Sequence, residues 1–398
     1  VVPFAEEADA YIVNTCSVTA VSDQKSRQVI HGIQRKHPGA VVAVCGCYSQ
    51  THVDDVRKLG VDLIAGTGDR TGFIRLLEET AAEKRRIEAI DQPFERRVFE
   101  VLPAGGLEGR TRAMLKVEDG CVNFCSYCVI PYARGPIRSL SIPEAEEQCR
   151  RLGEEGYREV VLTGIEISSW GAERRDGTGL IDLIEAVCRA LPAGTRVRLG
   201  SLEPRTITEE FCRRAAALPN LCPHFHLSMQ SGCDSVLKRM NRKYDTARYY
   251  ESVTSLREYF DRPGITTDLI VGFPGEREEE FRSTLDFVER CAFSAMHIFP
   301  YSRRAGTPAA AMAEQVPNAV KEDRAHRAGA LARRLEEAYL DSWVGEVLPV
   351  LFEEEREGLW RGHAPNYVEV LVPGAELHNV ERPVRLLRRQ GSCLVGAL

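Results

Sequence analysis

The sequence predicts an α/β protein in three parts: an N-terminal parallel α/β domain over residues 1–92, a central partial (β/α)6 TIM-like barrel over 108–335, and a small C-terminal β-barrel over 340–398. Three observations predict it. Short apolar β runs alternate with amphipathic helical patterns over the first 90 residues, as in a parallel sheet covered on both faces. After a stretch rich in Pro and Gly, from Gln92 to Arg110, the alternation restarts and supplies six more βα units. Beyond residue 340 the helical pattern gives way to short alternating strands separated by Gly and Pro.

In order, Ala10–Thr15 is expected as a buried strand, Ser22–Lys36 as an amphipathic helix and Ala40–Cys45 as a second buried strand. Val53–Leu59 and Arg70–Glu83 follow as helices, with Val61–Ile64 a short strand between them. The central strands are Ala113–Val117, Glu159–Thr163, Arg196–Leu199, His224–Leu227, Gly264–Ile270 and Ala295–Phe299. A helix is expected from Ala319 to Trp343, carrying Arg324, Arg327, Arg333 and Arg334, and Tyr367–Val372 is a strand of the last part. An open doubly wound sheet fits the central pattern as well.

Hydrophobic residues make up 43% of the 398 and charged residues 28%, the balance of an ordinary globular chain. No run approaches the roughly 20 apolar residues that span a bilayer, and the first residues lack the basic start and apolar stretch of an export signal. No membrane partner and a cytoplasmic location are therefore expected. The first residue is Val rather than Met, so the sequence is read as starting inside a longer chain. A net charge of −6 gives no overall pull toward nucleic acid, and an RNA partner would need a local basic face. Thirteen cysteines without an export signal point to metal or catalysis rather than a disulfide framework. Cys188 and Cys212 lie at apolar positions of helical patterns and read as core residues.

The sharpest signal is Glu118-Asp119-Gly120-Cys121-Val122-Asn123-Phe124-Cys125-Ser126-Tyr127-Cys128, a C-x3-C-x2-C loop directly after the first central strand. Three thiolates on one loop can hold three irons of a 4Fe–4S cubane and leave the fourth open to another ligand. A zinc site would want a fourth Cys or His at matching spacing, and the next, Cys149, falls in a helical pattern. An open iron suits the amino and carboxylate groups of S-adenosylmethionine.

This stretch resembles the radical S-adenosylmethionine superfamily, with Tyr127 as the aromatic beside the adenine. The following Val129-Ile130-Pro131-Tyr132-Ala133-Arg134-Gly135-Pro136-Ile137-Arg138-Ser139 resembles the methylthiotransferase branch. That resemblance implies a radical SAM barrel in the centre, attachment of a methylthio group to an unactivated carbon, and two 4Fe–4S clusters. Cys121, Cys125 and Cys128 would hold the one that binds S-adenosylmethionine. Asn14-Thr15-Cys16-Ser17-Val18 and Gly46-Cys47-Tyr48-Ser49-Gln50 match two of the auxiliary ligands, Cys16 and Cys47, each just past a buried strand. The family's third ligand lies upstream of the sequence given. Cys45 is a candidate surrogate for it, but it ends its strand and its side chain should point opposite to a neighbour one residue on.

For the cofactor, the resemblance implies contacts from Gly164 and Glu166 in Leu162-Thr163-Gly164-Ile165-Glu166, from Ser201 and Glu203, and from Ser228 and Gln230. Gly272-Phe273-Pro274-Gly275-Glu276 matches the turn near the adenine. Each fits a turn or cap equally well; their recurrence after successive strands makes the case. His226 and His297 read as core imidazoles and His224 as a strand cap. The C-terminal part resembles the TRAM module of RNA-modifying enzymes, above all at Arg361-Gly362-His363-Ala364-Pro365-Asn366-Tyr367-Val368, although residues 344–398 carry six Arg against eight Glu and no Lys.

Within the family, Leu162 to Gly171 and Ala133 to Ser139 resemble the threonylcarbamoyladenosine branch. This implies conversion of N6-threonylcarbamoyladenosine, on the 3′ side of the anticodon in the tRNA loop, to its 2-methylthio derivative. The alternatives are isopentenyladenosine in tRNA and a ribosomal-protein aspartate. A substrate with its own carboxylate would be served by arginines, and Arg134, Arg138, Arg303 and Arg304 are the candidates. The resemblance also implies a sulfur donor and an electron donor such as flavodoxin or ferredoxin.

Overall fold

A computed structural model of the protein describes residues 2–4, 6–17, 19–106 and 109–398. Of the stretches named above, Val18, Leu107 and Glu108 lie outside the described residues. Strands β1 (Ala10–Thr15), β2 (Val41–Gly46), β3 (Leu63–Ala65) and β4 (Ile87–Ala89) form a four-stranded parallel sheet in that order. Helices α1 (Ala20–Lys36), α2 (Cys47–Thr51), α3 (Val53–Lys58) and α4 (Arg70–Glu83) connect them. Thr19 caps α1 by accepting from the Ser22 amide, and Asp69 caps α4 through the Gly72 amide. Ile30 and Ile33 of α1 pack on Val42, Val44 and Ile64 of the sheet. β1 departs from expectation: it is an edge strand, buried at Tyr11 and Val13 but open at Ile12, which is 45% exposed. The short β4 and α2 escape sequence reading because neither is long enough to show a period.

The central part runs β5 (Arg112–Lys116), β6 (Glu118–Asp119), α5 (Ile130–Arg134), β7 (Arg138–Ser139), α6 (Ile142–Glu154), β8 (Glu159–Thr163), α7 (Leu180–Ala190), β9 (Arg196–Leu199) and β10 (Ser201–Leu202). It continues through α8 (Glu209–Ala216), β11 (His224–Leu227), α9 (Asp234–Arg239), α10 (Thr246–Tyr259), β12 (Gly264–Val271), α11 (Glu278–Cys291), β13 (Ala295–Pro300), α12 (Pro308–Ala311) and α13 (Asn318–Asp341). Six parallel strands stand in chain order, β5-β8-β9 and then β10-β11-β12-β13, the third broken at Gly200 into β9 and β10. Sequential order is that of an incomplete barrel, and it removes the doubly wound alternative, in which strand order reverses. Cys188 and Cys212 are buried in α7 and α8.

The last strands, β14 (Val347–Arg356), β15 (Leu359–His363), β16 (Glu369–Pro373), β17 (Glu381–Gln390) and β18 (Cys393–Ala397), close into a barrel in the order β14-β15-β16-β18-β17. Val350, Phe352, Val370, Val384 and Leu394 fill it. Tyr367 is not part of β16 as expected; it sits in a turn with φ of +71°.

The segment Arg361 to Val368 lies against the N-terminal ends of the central strands. There Arg196 and Arg198 donate to the carbonyls of His363, Ala364 and Pro365, and the Tyr367 ring lies 4.7 Å from that of His224 and 4.9 Å from that of His363. On α13, Arg324 pairs with Glu276, Arg327 with Glu278 and Asp323, and Arg334 with Glu289, while Arg333 is exposed. His297 is exposed rather than a core imidazole. No helix among the described residues is long and apolar enough to cross a membrane.

The chain forms two compact units that cut across the three sequence spans. One comprises Val1–Glu100, Gly120–Pro136 and Ser302–Met312; the other comprises Val101–Asp119, Ile137–Tyr301 and Ala313–Leu398.

Candidate cysteine-lined cofactor site

In the first unit, β1 and β2 end in register, with Thr15 opposite Gly46, so Cys16 and Cys47 are each the next residue past the same sheet edge. Gly46 makes the turn possible. Its φ is +105°, and a Cβ there would lie 2.3 Å from the Thr15 carbonyl oxygen. The chain then enters α2 with Cys47 as its first residue. Ser49 fixes that helix by donating to the carbonyls of Gly46 and Ala65, at 3.0 and 2.6 Å. Cys16 is exposed and Cys47 buried. Cys45 stays within β2, where burial pushes its thiol pKa up, and it is poorly suited to act as a thiolate.

The C-x3-C-x2-C loop belongs to the same unit. Its base is closed by the Cys121 amide, which donates to the Gly135 carbonyl at 3.0 Å, and the turn inside it by the Cys128 amide donating to the Cys125 carbonyl at 2.9 Å. The Ser126 carbonyl accepts from the Ala309 amide at 2.8 Å, tying the loop to α12. Cys125 is buried, while Cys121, Cys128 and Tyr127 are half-buried.

Cys16 and Cys47 are free thiols. Cys149, Cys188 and Cys291, by contrast, are core thiols, each pushed up by burial to about 12 and so chemically inert. Among the described residues no three His, Cys, Asp or Glu side chains form a site for a single metal ion. Soft sulfur donors fit an iron–sulfur cluster.

The second unit gathers carboxylates at the C-terminal ends of its strands. Glu118, wholly buried, accepts from the amides of Ile165 and Glu166, both at 2.8 Å. Sequence reasoning missed this residue; the signal available was a carboxylate closing the strand before the cysteine loop. Burial and the nearby carboxylates of Asp119 and Glu166 push its pKa up to about 8, against those two hydrogen bonds. Its second oxygen has no hydrogen-bond partner among the described residues. A Cβ at Gly164 would lie 2.7 Å from the Glu118 carboxylate. Glu166 caps the next turn, accepting from the Ser168 amide and the Ser169 hydroxyl, and burial raises its pKa, as does the negative Glu203. Glu203 is buried and bidentate with Arg205. Ser201 is exposed, directly after Gly200. Ser228 is half-buried, its carbonyl accepting from the Tyr244 hydroxyl at 2.5 Å. Gln230 takes φ of +65° and bridges to β12 through Asp268 and Ile270.

The four arginines separate into two kinds. Arg138 is buried against Asp119 at 3.3 Å, and Arg304 is buried against Asp23 at 2.7 Å and Ser17 at 2.5 Å. Both charges are paired inside the fold. Arg303 is exposed, with Nε on the Ala310 carbonyl, and Arg134 is half-buried at the end of α5.

Comparison with known proteins supplies the lineage. The profile of the radical SAM superfamily matches residues 115–288, and that of the uncharacterized protein family UPF0004 matches residues 1–66. The threonylcarbamoyladenosine tRNA methylthiotransferase of Bacillus subtilis (strain 168) is 38% identical over 379 residues, covering 94% of this chain and 84% of that protein. The chain belongs to the radical S-adenosylmethionine methylthiotransferase family. Another methylthiotransferase, the tRNA-2-methylthio-N(6)-dimethylallyladenosine synthase of Acetivibrio thermocellus (strain ATCC 27405), is 35% identical over 354 residues, covering 87% of this chain and 73% of that one. In fold, the methylthiotransferase chain resembles a radical S-adenosylmethionine methyltransferase of Kitasatospora setae, solved with cobalamin and a 4Fe–4S cluster bound. The TM-score is 0.57 at 19% identity, over 76% of this chain and 65% of the other.

Proposed function

We propose that this methylthiotransferase converts N6-threonylcarbamoyladenosine, 3′ to the anticodon of tRNA, into its 2-methylthio derivative. The observation that carries the reading is the placement of both cysteine sets in one compact unit, in a chain related over nearly its whole length to an enzyme of that name. Cys121, Cys125 and Cys128 hold the cluster that binds S-adenosylmethionine, and Cys16 and Cys47 supply two thiolates of the auxiliary cluster. When bound, the two clusters and S-adenosylmethionine supply the electron, the carbon radical and the sulfur of the reaction.

The chain's own residues bind and orient. The Gly164–Glu166 turn, held by Glu118, presents carbonyls and carboxylate to the cationic amino group of the cofactor. Glu203, Ser201, Ser228 and Gln230 offer acceptors and donors to its carboxylate and ribose, and Tyr127 packs by the adenine. Arg303 and Arg134 meet the threonyl carboxylate of the substrate, while Arg138 and Arg304 position the segments beside them. The C-terminal barrel is TRAM-like and binds RNA. Flavodoxin or ferredoxin supplies electrons, a separate donor restores sulfur, and the setting is the cytoplasm.

The similarity to the dimethylallyladenosine synthase favours one second reading, methylthiolation of isopentenyladenosine. Mass spectrometry of tRNA nucleosides from cells with and without the gene decides between them. Loss of 2-methylthio-N6-threonylcarbamoyladenosine supports the first and loss of the isopentenyl product the second; no change in either refutes both. In the purified protein, Cys121→Ala should abolish 5′-deoxyadenosine formation, whereas Cys47→Ala should spare part of it and stop methylthiolation. Equal activity in the two variants would refute the two-cluster assignment.

A further inference from the structure

Three aromatic rings stand out of the first unit beside the cysteine loop. Phe94 is 46% exposed, Phe124 39% and Tyr132 42%. Phe124 precedes Cys125 in the loop, and Tyr132 lies on α5, which follows it. The Phe94 and Phe124 rings are nearly parallel, 7° apart in plane with centroids 6.5 Å apart. The Tyr132 ring stands edge-on to both, 5.8 Å from Phe124 and 6.2 Å from Phe94. Large apolar side chains scattered singly on a surface need no explanation, but three in mutual contact do.

The group is held from beneath. Gly135, at φ of +76°, lies so close to the Pro93 carbonyl that a Cβ would fall 2.0 Å from its oxygen, which seats the Phe94 turn on the end of α5. Arg96, two residues after Phe94, donates to the Gln50 side-chain oxygen at 3.0 Å, to Asp91 at 2.6 Å and to the Thr67 hydroxyl at 2.7 Å. That hydroxyl in turn donates to the Ala133 carbonyl at 2.6 Å. Phe124 takes φ of +47°, a conformation an aromatic residue rarely adopts. The rings are thus fixed before any ligand arrives, so little ordering entropy is lost on contact.

We propose that Phe94, Phe124 and Tyr132 form a stacking platform for an unpaired nucleobase of the RNA substrate, rather than a protein-docking patch. Scale decides between the two. A stable protein interface needs about 20–30 residues a side, whereas three rings match one or two bases, and single-stranded loops are recognised by stacking on aromatic side chains. Charge agrees. Arg97 is exposed, bonds only to the carbonyls of Phe94 and Arg96, and makes no ion pair among the described residues, so its cation is open to a phosphate next to the stacked base. The platform rests on the tRNA reading above and deepens it by assigning residues to the loop around the modified base.

The test uses the full chain and an anticodon stem-loop carrying 2-aminopurine at one loop position at a time. Wild type should quench the fluorescence of at least one probe on binding. Phe94→Leu and Tyr132→Leu keep apolar bulk but lose the ring, and each should lower affinity about tenfold and remove the quenching. Phe94→Trp and Tyr132→Phe should retain both, and Val98→Ala, at an exposed apolar position outside the trio, should change neither. Unchanged affinity and quenching in the Leu variants would overturn the platform, as would a loss in Tyr132→Phe equal to that in Tyr132→Leu. A defect confined to flavodoxin-driven turnover, with RNA affinity intact, would also overturn it, in favour of a protein dock. Quenching by a wild-type protein that never forms a methylthio product would uphold the platform and refute the proposed activity, so the two failures are distinguishable.

Discussion

Gly46 and Glu118 show how single positions set the geometry of this family member. At Gly46 the backbone is left-handed and the Thr15 carbonyl fills the space a side chain would take. Gly46→Ala should therefore destabilise the protein by more than about 1 kcal/mol, read as a lower denaturant midpoint. It should also disturb the turn into Cys47 and reduce iron bound after anaerobic reconstitution. Glu118 illustrates the opposite economy, a buried acid kept neutral. With a folded-state pKa of about 8 against 4.5 in the unfolded chain, the folded state holds the extra proton between those values. Stability from this group is complete below pH 4.5 and is lost as pH rises through 8. Glu118→Gln, which keeps an acceptor for the Ile165 and Glu166 amides, should flatten that slope in thermal melts at pH 5 to 8. An unchanged slope would show the residue is already ionised.

At the scale of elements, the start of β8 carries a buried ionic knot. Glu159 pairs with Arg112 at 3.1 Å, Arg196 at 2.7 Å and Arg198 at 2.8 Å, and the three arginines hold its pKa well below the usual carboxylate range despite burial. Through Arg196 and Arg198 the same knot reaches the turn between β15 and β16. Removing the carboxylate would take from Arg198 its carboxylate partner among the described residues and leave Arg112 and Arg196 only Glu353 and Glu381, so Glu159→Ala should cost about 3–5 kcal/mol in chemical denaturation. Arg112→Lys, which leaves the other two pairs, should cost less. Elements with a long period were legible beforehand: α1, α4, α13 and the central strands lie within a few residues of expectation. The two-residue β6 and β7, and the five-residue α2 and α5, were not, because pairing and packing rather than periodicity create elements that short.

For the molecule as a whole, two histidines give the stability curve an acid limb. His224 is buried beside Arg198 and Arg112, and its pKa falls well below 6.5 through burial and those positive neighbours. His363 is lowered by burial and by Arg112, against the opposing pull of Glu353. Both are neutral when folded, so their contribution is present above about pH 6.5 and is lost as pH falls below it. The second unit should melt earlier at pH 5.5 than at pH 7.5, and His224→Gln with His363→Gln should remove that difference. Because Glu118 trends the other way, each effect is read from its own variant.

The sequence by itself determined the chemistry-bearing loop, the two N-terminal cysteines at strand ends and the order of the central strands, since spacing and apolar periodicity are local properties of the chain. Only the tertiary structure decided which parts come together. Residues 120–136 and 302–312 join the N-terminal sheet in one compact unit, so the five candidate ligands, along with Cys45, share it. It also turned Arg138 and Arg304 inward and placed Arg361–Val368 against the base of the barrel. Long-range burial assigns a charged side chain to a partner or to solvent, and nothing in the residues nearby records which.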